Sequence, residues 1–139
     1  MKTTFALIGF TAVLLAGVAS ALAAPMPLDV MDGGKKLMGD PAHGKTIFNR
    51  CMVCHSIDLG VNHIGPSLHN VVGRPAGTVA NFTYSGANKK SGITWTQQKL
   101  FDYLKNPQMM VPGTKMTFPG LPKPQDRADV VAYLKQNSK

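Results

Sequence analysis

The sequence predicts a small all-α fold, with three main helices and long loops wrapped around one covalently bound cofactor. Helix-start signals followed by apolar residues occur three times after residue 39, and the stretches between them are crowded with glycine and proline. Those stretches hold too few alternating apolar runs for a sheet. The third observation is Cys51-Met52-Val53-Cys54-His55, which has C-x-x-C-H spacing. At that spacing two thiols on one turn can add to the two vinyl groups of a haem, and the adjacent imidazole reaches the iron as a neutral nitrogen ligand.

Residues 1–23 read as a signal peptide: one early lysine, Lys2, an apolar stretch from Phe5 to Val18, and small residues at Ala21 and Ala23. Cleavage after Ala23 puts Ala24 rather than Pro25 next to the cut. The alternative is an uncleaved anchor, but the apolar run is shorter than the roughly 20 residues that span a bilayer comfortably. A signal implies export to a bacterial periplasm, where the thiols need protection until haem is attached. Residues 24–38 have no clear periodicity and contain Gly33-Gly34-Lys35-Lys36, so they read as a flexible leader. A single domain with one modest core then occupies 39–139.

Within that domain Asp40 as N-cap and Pro41 at the first helical position start a helix that runs through Ile47 and Phe48 to Cys51. From His55 to Gly92, Pro66, Pro75 and many glycines predict loops with one or two short helical turns. Thr94 or Thr96 caps a second helix whose apolar face is Leu100, Phe101, Tyr103 and Leu104, and which must stop before Pro107. Asn106 to Pro124 reads as another loop. A last helix runs from about Gln125 to Gln136, with Ala128, Val131 and Leu134 on one face and Val130 and Tyr133 beside it. Lys135 near its C-terminus suits the helix dipole. Three helices make a poor core alone, so a flat apolar cofactor would supply the missing mass and the chain without it is expected to be largely unfolded.

The chain carries a net charge of +8, and its seven acids are all aspartates. A basic exported protein could bind nucleic acid, a membrane or an acidic protein partner. With only three arginines and no basic run longer than two residues, nucleic acid is not expected. Rival readings of the cysteine motif are weaker. A thioredoxin-like pair wants a βαβ setting, and a Cys51–Cys54 disulfide would be structural only. His63 and His69 extend the motif to C-x2-C-x8-H-x5-H, a nominal Cys2His2 zinc set whose C-to-H gap is short for a zinc finger.

An iron that shuttles electrons needs a sixth ligand, and the candidates are Met52, Met109, Met110, Met116, His63 and His69. Met52 lies inside the attachment motif and cannot reach over the ring. The two histidines are close in sequence to the proximal side. Met109 and Met110 follow a helix-ending proline and read as packing residues. Met116 ends Val111-Pro112-Gly113-Thr114-Lys115-Met116, a loop whose proline and glycine can aim a thioether at a fixed point.

From about Gly39 onward the chain resembles a class I c-type cytochrome, close to mitochondrial cytochrome c and bacterial cytochrome c2. The matching segments are Gly39-Asp40 with Gly44 and Phe48, Cys51 to His55, Gly65-Pro66-Ser67-Leu68, Gly73-Arg74, Phe82 to Ser85, and Ala87-Asn88-Lys89. They continue through Gly92 to Trp95, Tyr103-Leu104, Asn106-Pro107, Pro112 to Met116, and Arg127 with Ala132-Tyr133-Leu134. The resemblance implies one haem c, covalent through Cys51 and Cys54, with His55 and Met116 on the iron. It implies that the Pro66 carbonyl accepts a hydrogen bond from His55. Arg74, Tyr84, Asn88 and Trp95 are implied near the buried propionates, and Tyr103 and Thr114 on the methionine side. Gly44, Phe48 and Tyr133 are implied at the contact where the terminal helices cross.

The function implied is a soluble, monomeric one-electron carrier. It would run between a cytochrome bc complex or dehydrogenase and an oxidase or photosynthetic acceptor, after maturation by haem-attachment machinery. Lysines around the haem edge would steer partners with acidic docking surfaces, and Lys45, Lys115, Lys123 and Arg50 are candidates. Gln108 and Met109 stand where many relatives carry two lysines, which implies weaker steering or a more apolar docking patch. The alternative class is a haem peroxidase or gas sensor in which Met116 leaves the iron.

Overall fold

Helix α1 (Pro41–Phe48) begins where its sequence signals place it. The Asp40 side chain accepts from the backbone N–H groups of Ala42 (2.8 Å) and His43 (3.2 Å), and Pro41 occupies the first turn, where no N–H is missed. The computed structural model describes residues 24–138, so the signal peptide expected at 1–23 lies outside the described residues. α1 ends before Cys51, and a chain of turns carries the motif: Cys51 N–H donates to Phe48 O at 2.7 Å and His55 N–H to Cys51 O at 2.9 Å.

Helix α5 (Pro124–Gln136) buries every residue from Arg127 to Leu134. A helix buried all round needs partners on each side, and α1 makes the most extensive contact with it. The helices touch at Gly44, where any β-carbon would run into the backbone carbonyl of Asp129. One turn on, the rings of Phe48 and Tyr133 lie 5.0 Å apart. The two buried charges of α5 are both tied. Arg127 donates to Leu121 O (2.8 Å) and Pro122 O (2.9 Å) and lies 4.4 Å from the centre of the Phe101 ring. Asp129 accepts from Asp40 N–H and Gln125 Nε2, both at 2.8 Å, and faces His43 Nδ1 at 2.7 Å.

Residues 24–38 depart from the sequence reading. Instead of a flexible leader, β1 (Met26–Asp32) and β2 (Lys35–Gly39) form an antiparallel hairpin in which Asp32 faces Lys35 and Met31 faces Lys36. Gly33 and Gly34 make the two-residue turn with φ of 55° and 84°, the left-handed pair that matches strand twist. Leu28 and Val30 alternate inward and are completely buried. A lone hairpin is marginal in water, and this one leans on α3 (Gln97–Tyr103) and α5. Gln97 Oε1 accepts from Asp29 N–H (3.0 Å), Gln98 Oε1 accepts from Met31 N–H (2.7 Å), and Gln125 Nε2 donates to Met38 O (3.0 Å). Backbone groups that a sheet edge would leave open are thereby satisfied.

Thr96 rather than Thr94 caps α3, accepting from Lys99 N–H at 3.1 Å. Two short helices lie in the connections: α2 (Gly86–Lys90), capped by Ser85, is a short helical turn of the kind expected between His55 and Gly92, whereas α4 (Pro107–Met110), capped by Asn106, occupies a stretch expected to be loop. Residues 73–76 pair with 93–95 through Gly73 N–H to Trp95 O (2.9 Å), Trp95 N–H to Arg74 O (2.9 Å) and Ala76 N–H to Ile93 O (2.8 Å). Among the described residues no helix is long and apolar enough to cross a membrane.

Candidate haem site

The segment after Cys54 runs beside residues 65–68, held by Gly65 N–H to Cys54 O (2.8 Å) and Leu68 N–H to Ser56 O (2.7 Å). This brings His55 Nδ1 to 2.7 Å from Pro66 O. A carbonyl can only accept, so Nδ1 carries the proton and Nε2 keeps a free lone pair. Gly65 makes room for the ring: a β-carbon there would stand 2.8 Å from Nδ1 and 2.9 Å from Nε2. Burial pushes the His55 pKa down, and the Arg74 and His63 charges act the same way against the opposing Pro66 bond. The imidazole is therefore held neutral, as a metal ligand must be. Burial also pushes the Cys51 thiol up to about 11, with Arg50 opposing, and Cys51 and Cys54 are not joined to each other.

Arg74 closes the next layer. Its guanidinium donates to His69 O (2.7 Å) and Ser67 O (2.9 Å), while Ser67 Oγ donates to Asp58 O at 2.6 Å. Tyr84 Oη accepts from Val79 N–H at 3.3 Å, and burial raises its pKa. Trp95 is buried with its ring 4.8 Å from that of Tyr103, whose pKa burial also raises. The Tyr103 hydroxyl in turn lies 3.5 Å from Thr114 Oγ1, which accepts from Met116 N–H at 3.3 Å. Two buried polar atoms in this group have no partner, Arg74 Nε and Asn88 Oδ1. A carboxylate would satisfy the arginine, and the Asn88 amide, turned over, would present its NH2 to an acceptor of the same kind. With Leu68, Val72, Met116 and Phe118 half-buried against the core, these residues fit a flat apolar group bearing carboxylates.

Exposure sorts the sulfur candidates: Met52 is 55% and Met109 79% exposed, whereas Met110 and Met116 are half-buried. The zinc set is not assembled, since among the described residues no three His, Cys, Asp or Glu side chains converge. His63 is exposed, and the His69 ring is turned to Ile57 O at 3.2 Å. Three contributors have no role at the haem in the sequence reading. Gly65 and Ser67 stand beside Pro66 and could have been found by asking what surrounds the ligand's hydrogen bond. Gln108, whose Nε2 lies 2.6 Å from Met116 O, has no sequence signal, because the fold alone makes that contact.

A mostly helical fold presenting C-x-x-C-H on the turn after its first helix, with the imidazole held for nitrogen ligation, defines the class of c-type haem proteins. The Cytochrome c family profile matches residues 41–138, and cytochrome c of Nigella damascena is 48% identical over 102 residues, covering 72% of this chain and 92% of its own. Cytochrome c2 of Rhodopila globiformis is 54% identical over 97 residues, covering 69% and 92%. The structure of cytochrome cH from Methylobacterium extorquens superposes with a TM-score of 0.67 at 44% identity, covering 70% of this chain and 99% of that one. The chain belongs to the cytochrome c family as a class I c-type cytochrome, an electron-transfer protein that carries covalent haem c and works with redox partners. The expected small cytochrome c fold is present, with five helices and the hairpin added before the matched region.

Proposed function

We propose that the chain is an exported, monomeric one-electron carrier whose iron is held between His55 and Met116. The observation that carries this is the 2.7 Å bond from His55 Nδ1 to Pro66 O, which fixes the tautomer and leaves Nε2 for a metal. Haem iron, when bound, supplies the one-electron couple. The chain's own residues do the rest. Cys51 and Cys54 anchor the ring, and Pro66 and Gly65 hold the imidazole. Met116 offers a weak thioether donor that favours the ferrous form and raises the potential. Arg74, Tyr84, Asn88 and Trp95 would surround the propionates, and Tyr103 and Thr114 support the Met116 loop. Were His55 and Met116 both to hold the iron, they would leave no open position for oxygen or peroxide, and the chain would need to move little between the two oxidation states.

The partners proposed are a cytochrome bc complex or dehydrogenase as donor and an oxidase or photosynthetic acceptor, docking through acidic surfaces. Exposed Lys45, Lys115, Lys123 and Arg50 support this. Arg50 is steadied by lying 5.3 Å from the Phe118 ring centre, and Lys115 Nζ by donating to Thr83 O at 3.3 Å. The location proposed is the periplasm, through the signal peptide at 1–23 and periplasmic haem attachment. The test is titration of the folded ferrous protein with carbon monoxide at neutral pH. Slow binding limited by loss of an internal ligand is expected of a carrier; fast stoichiometric binding would mean an open-site enzyme or sensor.

A further inference from the structure

We propose that Gln108 is a positioning residue that latches the Met116 loop and sets how readily the thioether leaves the iron; the inference rests on Met116 as sixth ligand. Gln108 stands on α4, a single turn with a fixed start: Asn106 Oδ1 accepts from Met109 N–H at 3.0 Å, and Pro107 is buried. From that base Gln108 Nε2 donates to Met116 O at 2.6 Å and to Thr114 O at 3.3 Å. The two carbonyls flank Lys115, so one amide grips the loop on both sides of the residue before the ligand. Only the NH2 end of the amide can face two carbonyls, which fixes its orientation.

The loop needs such a tie. Its approach passes through Gly113 at a φ of 85°, its internal bonds, Thr114 N–H to Val111 O (3.0 Å) and Met116 N–H to Thr114 Oγ1 (3.3 Å), are local to it, and its side-chain ties to Tyr103 (3.5 Å) and Thr83 O (3.3 Å) run from Thr114 and Lys115 rather than from Met116. Gln108 is what joins the Met116 carbonyl to α4. A latch made by an exposed side chain is worth a modest amount, which suits a device that adjusts ligand release rather than one that forbids it. It also gives residue 108 a role other than steering.

The test uses the full haem-loaded protein and the variant Gln108→Glu, which keeps the shape and replaces the donor by oxygen. At neutral pH the carboxylate confronts two carbonyls, and carbon monoxide should bind the ferrous variant about fivefold faster than the parent, the factor expected for one net hydrogen bond. Below about pH 4 the protonated side chain can donate again, so the difference should shrink. Gln108→Ala, which leaves the carbonyls to water, should show a smaller rise. Met109→Gln, an exposed neighbour, should match the parent. Amide hydrogen exchange at residues 114–117 should quicken in Gln108→Glu. Equal rates and equal exchange in parent and Gln108→Glu would overturn the latch. A parent whose ferric form lacks the weak far-red band of a methionine ligand would overturn the Met116 reading itself, while the exchange comparison would still show whether Gln108 holds the loop.

Discussion

The α1–α5 crossing and the Met116 loop belong to one small domain but are held by opposite means. At the crossing, Gly44 lets two helix backbones touch and Phe48 is 1% exposed against Tyr133, while Leu28 and Val30, on the strand that packs on α5, are 0% exposed. At the loop, a few hydrogen bonds from Gln108, Thr114 and Tyr103, 2.6 to 3.5 Å long, position half-exposed chain. Losing a close-packed side chain costs several kcal/mol, whereas losing one exposed hydrogen bond costs about 1 kcal/mol. Stability therefore resides in the crossing. The ligand loop can be adjusted without unfolding the protein, as expected for an element drawn from the weaker end of the local-stability range.

The sharpest break of this contrast is Phe48→Ala, which should cost about 3–5 kcal/mol by guanidinium unfolding of the haem-loaded protein. A loss below about 1 kcal/mol would show that the crossing does not anchor the fold. Leu28→Ala should cost about 2–5 kcal/mol, because the side chain is wholly enclosed. A true leader would give no change. Gly65→Ala joins the two regions' logic by overpacking the proximal ring. It should cost about 1–3 kcal/mol and also shift the absorption bands, because His55 must move. Unchanged bands would mean that the ring does not need that glycine.

The smallest expected effect is electrostatic. The hydrogen bond to Asp129 raises the His43 pKa, and the charges of Asp129, Asp126 and Asp40 add to it against a smaller desolvation effect. A group raised on folding stabilises below its unfolded value, near pH 6.5, and the benefit fades as pH climbs through the folded value. Unfolding midpoints should therefore drop slightly from pH 6 to 8, and His43→Gln should flatten that slope. A slope of the opposite sign would remove the His43–Asp129 tie from the account.

The contrast also marks what was legible in the chain. Asp40-Pro41, Thr96 and the apolar spacing of α5 announced three helices, because caps and periodicity act locally. The hairpin is written there too, in Gly33-Gly34 and the alternation of Leu28 and Val30, but Gly33-Gly34-Lys35-Lys36 has the composition of a loop as well as of a tight turn. Asn106-Pro107 stops one helix and equally starts the next. In the site, C-x-x-C-H and Pro66 stood in the sequence. The Gln108 contact did not, since eight residues of turn geometry must be built before its amide meets Met116 O.

The central claim, a carrier with His55 and Met116 on one covalent haem, is tested most directly by the visible absorption of the exported protein, ferric and ferrous, beside that of Met116→Leu. Colour should stay with the protein in acid–acetone, the reduced bands should be sharp, and a weak far-red ferric band should be present in the parent and disappear in the variant while the haem remains. A far-red band that survives Met116→Leu, or is absent from the parent, would contradict it.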